Sequence, residues 1–212
     1  MKETNKVAAL LKLSRLIDAL SEFVGRWVSW LILFAVLVSA GNAIVRKAFD
    51  SSSNAWLEIQ WYLFAAVFLL AAGYTMLRQE HVRIDVILGR FTKRTQIIIE
   101  AVCIVVFLFP FCIAVIDLVW PLVIKAYRTG EMSSNAGGLI RWPVFALVPA
   151  GFSLLLLQGV SEFIKRIAFL KGLIDDPTKK KQQKTAEEEL AEFVRAQADA
   201  AAAAALAKGA AK

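Results

Sequence analysis

Residues 97–123 read IIIEAVCIVVFLFPFCIAVIDLVWPLV, a run in which only Glu100 and Asp117 carry charge. A helix needs roughly 20 apolar residues to cross a bilayer core of about 30 Å, and this run is long enough. Membrane-spanning strands would instead require alternating segments of about 10 residues that close into a barrel, and the sequence lacks them. The sequence therefore predicts an all-α integral membrane fold of four transmembrane helices, with the other three spans at about 23–45, 56–76 and 142–163.

The composition agrees with a membrane protein whose charges lie outside the spans. Of the 212 residues 58% are hydrophobic and 20% are charged, and the two kinds are segregated along the chain. The net charge of +7 is interpreted as a topology signal, because no basic patch interleaved with aromatic residues indicates nucleic-acid binding. A cleaved signal peptide ending near Val38-Ser39-Ala40 is the alternative for the first span, although that apolar run is long for a signal and follows a charged leader.

Basic residues predict the orientation of the chain. They concentrate before the first span, in the second loop at 77–96 and after the fourth span. Short segments rich in Lys and Arg stay in the cytoplasm, so both termini are predicted to be cytoplasmic in a bacterial inner membrane. The first and third loops are then periplasmic. The tryptophans support this orientation, because aromatic residues concentrate at both membrane interfaces. Those at the predicted outer interface are Trp56, Trp61, Trp120 and Trp142, and those near the inner one are Trp27 and Trp30.

The segments around the spans divide the chain into three parts. Residues 7–20 alternate apolar and polar side chains at helical spacing, which predicts that residues 1–22 form a cytoplasmic amphipathic leader running into the first span. Residues 23–170 form the four-helix membrane domain, with a short interfacial helix predicted in the loop at 77–96. Residues 171–212 are predicted to be a cytoplasmic Ala-rich extension.

Ionisable residues within spans are the default candidates for function in a membrane protein. The candidates are Glu58 at the outer edge of span two, Glu100 at the inner edge of span three and Asp117 near its outer end. No series of carboxylates crosses the middle of the membrane, so we expect that this chain does not form a transport pathway by itself. Glu58 is expected to pair with another chain or to cap the start of its helix.

Motifs for catalysis are absent from the sequence. It contains no Walker loop, dinucleotide fingerprint or nucleophile elbow. His81 and Asp85 are too few ligands for a metal site, so neither a metal nor a cofactor is expected. Cys103 and Cys112 lie nine residues apart on one helix, about 13 Å along its axis, and cannot form a disulfide with each other. Two hypotheses remain open: a subunit of a larger transporter, and a self-contained four-span carrier or membrane-bound enzyme.

Two stretches carry a resemblance to a known family. Residues 54–74, NAWLEIQWYLFAAVFLLAAGY, and residues 78–85, RQEHVRID, resemble the small permease (DctQ-type) subunit of tripartite ATP-independent periplasmic (TRAP) transporters. Residues 130–143, GEMSSNAGGLIRWP, resemble the subgroup linked to mannitol, chloroaromatic compounds and 2-oxo acids. The resemblance covers roughly residues 20–170 and leaves out the Ala-rich extension.

The resemblance implies a machine of three proteins. A periplasmic substrate-binding protein captures an organic anion, a large DctM-type membrane subunit carries it with sodium, and the small subunit steadies the large one. Membrane lipids are further partners, and nucleic acid is not one. The candidate residues for the interface with the large subunit are Trp56, Glu58, Gln60, Trp61, Arg78, His81, Arg83 and Asp85. Those for docking of the binding protein are Glu131, Ser133, Asn135, Arg141 and Trp142.

Overall fold

The computed structural model describes residues 2–49, 53–79 and 90–174, with side chains from Ala9 onward. Within these ranges the chain is helical, without strands, and four helices are long and apolar enough to cross a membrane. The predicted all-α fold with four spanning helices is confirmed. The helices are α1 (Lys2–Phe49), α2 (Asn54–Leu77), α3 (Lys93–Thr129) and α4 (Trp142–Leu170).

Helix α1 contains both the predicted leader and the first span, without a break between them. The sequence pattern indicated an amphipathic leader, whose polar side would ordinarily meet water or lipid headgroups. In the structure part of that polar side is a packing surface, because Ser14 and Ser21 are buried against α4. The polar periodicity of the leader therefore reflects contact between two helices of this chain.

Helix α3 contains a short π-helical turn. It is α-helical over Lys93–Cys103 and Phe109–Thr129, and π-helical over Ile104–Leu108. Pro110 has no N–H group, and in a regular α-helix its ring would press against the carbonyl of Val106. A wider turn just before the proline relieves that contact, so α3 continues through it.

Helix α4 is the central helix of the bundle, since it packs against α1, α2 and α3, whereas α3 packs mainly on α4. Glycines allow a close backbone approach between α2 and α4. A Cβ atom on Gly151 would lie 2.6 Å from the carbonyl oxygen of Leu69, and one on Gly73 would lie 3.3 Å from that of Leu154. Small residues at such crossings let helices pack tightly in lipid, where hydrophobic burial does not drive association.

A compact loop joins α3 to α4. Gly130 ends α3 in the left-handed conformation (φ +60°), which glycine adopts without strain. Met132 and Ile140 then form an isolated antiparallel bridge, and the Ser133 N–H donates to the Leu139 carbonyl at 2.9 Å. Pro143 occupies the first turn of α4, as its position in the sequence predicted.

Three sequence predictions fall outside the described residues. The interfacial helix was placed within 77–96, but residues 80–89 are not described. On either side of them, α2 ends at Leu77, and Thr92 caps α3 by accepting the Thr95 N–H at 3.4 Å. The candidate interface residues His81, Arg83 and Asp85 belong to the same gap. The Ala-rich extension, from residue 175 onward, is likewise outside.

Candidate functional site

Glu58 is the centre of a polar cluster at the end of the bundle where α3 joins α4. It lies near the start of α2, yet the residue is only 3% exposed. One carboxylate oxygen accepts the Leu139 N–H at 2.6 Å. The other accepts the Asn135 amide at 2.8 Å and the Ser133 hydroxyl. The carboxylate is therefore satisfied by the α3–α4 loop of its own chain.

Helix α2 holds this loop at three successive turns. Asn54 and Tyr62, four residues on either side of Glu58, each donate a hydrogen bond to a loop carbonyl, at 3.0 and 3.1 Å. Residues spaced by four share one face of a helix, so the loop lies along a single stripe of α2. The fit is close, because a Cβ on Gly138 would lie 2.9 Å from the Glu58 carboxylate.

This Glu58 cluster joins two groups that the sequence analysis treated separately. Glu58 was a candidate for contact with the large subunit, and Ser133 and Asn135 were candidates for docking of the binding protein. In the structure Ser133 and Asn135 donate hydrogen bonds to the Glu58 carboxylate, so all three side chains have hydrogen-bond partners within one chain. No sequence signal linked them, because a Glu in α2 and a polar loop some 75 residues later follow no common spacing.

The other candidate docking residues stand at the base of the same loop. Arg141 pairs with Glu131 at 3.1 Å, and the Arg141 N–H also donates to the Glu131 carbonyl at 2.9 Å. Both side chains are partly exposed, and such ion pairs contribute little stability. Trp142 packs edge-on against Tyr127, with ring centroids 5.4 Å apart. These three residues remain accessible for contact with another protein.

Three candidate interface residues on α2 remain accessible as well. Trp56 and Trp61 are exposed, as expected for residues that meet lipid or a partner helix. Gln60 lines an open cavity beside Arg46 and Lys47, which belong to the last turn of α1.

Arg78, just after α2, is tied to its own chain. Its guanidinium donates to Glu22 at 2.9 Å and to the Tyr74 hydroxyl at 3.1 Å, and it lies over the Tyr74 ring. Arg78 therefore links the end of α2 to α1.

A buried polar network fills the opposite end of the bundle, and sequence analysis missed most of it. On the α1 side, Asp18 accepts hydrogen bonds from the Ser161 hydroxyl at 2.7 Å and the Gln158 amide at 3.0 Å. The Lys165 ammonium lies 2.7 Å from the same carboxylate. The side-chain oxygen of Gln158 in turn accepts a hydrogen bond from the Ser21 hydroxyl at 2.8 Å. These contacts join α1 to α4 through polar atoms alone.

On the α3 side, the network centres on Arg166. Its guanidinium donates to Glu162 at 2.7 Å and to Glu100 at 3.0 Å, and Arg166 and Glu162 are only 3% and 1% exposed. Glu162 also accepts from Lys165 at 2.9 Å and from Gln79 at 3.1 Å. Among the described residues, every buried side-chain nitrogen or oxygen has a hydrogen-bond partner. The network thus connects α1, α3 and α4 at this end, and it also includes Gln79, two residues after α2.

A signal for the network was present in the sequence. Gln158, Ser161, Glu162, Lys165 and Arg166 recur at intervals of three and four, which places them on one stripe of α4. The predicted fourth span ends at residue 163, so Glu162 lies at its edge and Lys165 and Arg166 lie beyond it. Neither these residues nor Glu162 were among the predicted candidates.

Neither polar cluster resembles a catalytic site. Both consist of groups that already satisfy one another, and they lie at opposite ends of the bundle. Within the described ranges, no group of three or more His, Cys, Asp or Glu side chains is arranged to hold a metal ion. Cys103 and Cys112 are both free thiols. The arrangement is suited to fixing helices and one loop in place.

Replacing Glu58 with glutamine is expected to release the α3–α4 loop. The Glu58 carboxylate accepts hydrogen bonds from three donors. A glutamine side chain must turn its NH2 group, which is itself a donor, toward at least one of them, so at least one hydrogen bond is lost. We expect chymotrypsin to cut the loop after Leu139 severalfold faster than in the wild type. Limited digestion of the purified protein, followed by mass spectrometry, measures that rate.

Glu131→Gln is the matched control for this experiment. It makes the same chemical change in the same loop, but at a partly exposed ion pair that contributes little. Its cleavage rate should stay close to that of the wild type. Equal rates for the Glu58 and Glu131 variants would contradict the assignment of Glu58 as the residue that holds the loop.

One comparison with known proteins gives a match. A family model described as "Tripartite ATP-independent periplasmic transporters, DctQ component" matches residues 35–169, well over half of the chain. No curated protein and no solved structure matches. The matched region includes the whole Glu58 cluster and the buried polar network apart from its members on α1.

Proposed function

The chain belongs to the DctQ component family of tripartite ATP-independent periplasmic transporters, and we propose that it is the scaffold for the large membrane subunit of such a transporter. In this proposal the large DctM-type subunit carries an organic acid or related solute together with sodium. A periplasmic substrate-binding protein delivers that solute. The present chain fixes the position of the large subunit in the bilayer and does not bind the solute itself.

The placement of polar groups is the observation that carries this proposal. The Glu58 cluster and the buried polar network lie at the two ends of the bundle, and their charged side chains are hydrogen-bonded within the chain. Secondary carriers bind their solute near the middle of the membrane, at interrupted helices whose backbone is free to coordinate it. Between the two clusters, α2 and α4 meet where Gly151 lies against Leu69, without polar side chains at that contact, which favours a supporting role.

The orientation of the bundle follows from the basic residues. We place the buried polar network at the cytoplasmic end and the Glu58 cluster at the periplasmic end, because the segments rich in Lys and Arg adjoin the network. The α3–α4 loop then faces the substrate-binding protein. Met132 and Ile140 expose apolar side chains on that loop beside the Glu131–Arg141 pair. Those four residues and Trp142 form the proposed docking surface, and Ser133 and Asn135 shape it.

Purification of the tagged chain from its native membranes in a mild detergent tests the proposal. We expect a polytopic membrane protein much larger than this chain to be recovered in stoichiometric amount. Uptake by proteoliposomes should then require both subunits, and this chain alone should transport nothing. Recovery of the chain alone or as a homo-oligomer, or uptake by the chain alone, would contradict the scaffold role and favour a self-contained carrier.

A further inference from the structure

Asp117 is a charged residue on the outer surface of α3. Along the helix axis it lies about 12 Å from Lys125 and about 25 Å from Glu100, so it lies in the outer part of the spanning stretch, about one helical turn before Trp120. The side chain is exposed, and among the described residues no hydrogen bond or ion pair reaches its carboxylate. Glu58 and Glu100, by contrast, are both bound within the chain.

A second unsatisfied acceptor lies at the same position. Pro121 is four residues after Asp117 within α3. Proline has no N–H group, so the α-helical hydrogen bond to the Asp117 carbonyl cannot form. The backbone oxygen and the carboxylate of Asp117 therefore both require a donor from outside the helix.

Both acceptors lie on the side of α3 that faces away from the rest of the chain. Cys112 and Ala126, on the opposite side of the helix, are buried. The face that carries Asp117 is exposed over more than three turns and includes Ile113, Trp120 and Ile124. Lipid tails can cover the apolar residues of this face, but they offer no hydrogen-bond donor to Asp117.

We propose that the α3 face centred on Asp117 packs against the large membrane subunit, and that a Lys or Arg side chain of that subunit binds the Asp117 carboxylate. Ionisable side chains within spans normally face a protein interior or an aqueous cavity and are paired there. A partner helix on this face provides such an interior. This inference rests on the proposed function and adds to it the surface and the charge of the contact.

The large subunit fits this surface better than other occupants. The substrate-binding protein is periplasmic and does not reach Asp117 within the bilayer. A second copy of this chain, related by a two-fold axis through this face, would bring two Asp117 carboxylates together. Charge complementarity therefore favours an integral membrane partner with a basic residue at this depth.

Charge reversal at Asp117 is the direct test. With the large subunit co-expressed, Asp117→Lys should lower its recovery with the tagged chain on the order of tenfold or more, because two cations then meet in a desolvated contact. Asp117→Asn keeps a hydrogen-bond acceptor and should give a smaller loss. Leu37→Lys is the matched control: Leu37 is exposed and lies 12 residues before Phe49, the end of α1, just as Asp117 lies 12 before Thr129.

Several outcomes would overturn the inference. If both Asp117 variants recover as much large subunit as the wild type, the inference is wrong but the proposed function stands. The same holds if Leu37→Lys lowers this recovery as much as Asp117→Lys does. A lower unfolding temperature of the isolated Asp117→Asn chain would assign the residue an internal role instead. A photo-crosslinking residue at Trp120 should form an adduct with the large subunit; an adduct between two copies of this chain would contradict the proposal. If the wild type recovers no large subunit, the proposed function fails, and this inference fails with it.

Discussion

Gly151→Ala is expected to destabilise the four-helix bundle by about 1–3 kcal/mol, the usual cost of overpacking a tight contact. The new methyl group would lie 2.6 Å from the Leu69 carbonyl oxygen and 2.8 Å from the Leu69 Cβ. Neither atom can rotate away, because one belongs to the backbone and the other is attached to it. Helix α2 must therefore move away from α4, and the glycine contact at Gly73 loosens with it.

Gly41→Ala is the control for this prediction. Gly41 lies on α1, and a Cβ there would meet nothing within 4 Å. Its replacement should leave stability unchanged or raise it by about 0.5–1 kcal/mol, the usual gain of alanine over glycine in a helix. Reversible unfolding of the purified chain in mixed micelles, followed by tryptophan fluorescence, gives both values. Equal stability of the two variants would show that the α2–α4 contact tolerates a methyl group.

Arg166→Met is expected to have the largest effect, a loss of about 3–5 kcal/mol, as is typical when a single partner of a buried ion pair is removed. The side chain keeps much of its apolar length, but Glu162 and Glu100 lose the guanidinium that they share. Glu162 retains Lys165 and Gln79, so its carboxylate is left only partly compensated. The same unfolding measurement, on the isolated chain, gives the loss.

Arg78→Met makes the same change at an exposed ion pair and serves as the control. The side chains of Arg78 and Glu22 are 36% and 46% exposed, and such pairs contribute about 0–1 kcal/mol. A double variant tests the coupling in the buried network: Arg166→Met with Glu162→Gln should cost less than the sum of the two single changes. Similar losses for the Arg78 and Arg166 variants, or strict additivity, would contradict the role given to the network.

The number and approximate extent of the spanning helices could be predicted from the sequence, because each is a long apolar run bounded by charge. The ends of these helices could be predicted less well. Continuation of α1 from the leader into the span leaves no mark in hydropathy, and the π turn near Pro110 depends on backbone geometry that composition does not encode. The glycine contacts between α2 and α4 involve residues far apart in sequence, and nothing local identifies Leu69 as the neighbour of Gly151.

The contacts among the candidate residues could not be predicted from the sequence, for a physical reason. Glu58 was recognised as unusual because a carboxylate in a span is costly, but its partners Ser133 and Asn135 come from a loop that only the tertiary structure brings near. The buried polar network was overlooked because charged residues at the end of a span look like ordinary interfacial residues. Their helical spacing on α4 was the readable sign that they share a face.

The central place of α4 has a consequence for the biogenesis of the protein. Of the four helices it is the last to be synthesised, yet it packs against each of the others. Membrane helices insert individually and associate afterwards, so α1, α2 and α3 are in the bilayer before α4, the helix that contacts all three. Until α4 arrives, Asp18 lacks Lys165, the cation on α4 that pairs with it. A nascent chain interrupted before α4 would therefore display the Asp18 carboxylate without this partner, and that charge distinguishes it from a finished subunit for membrane quality control.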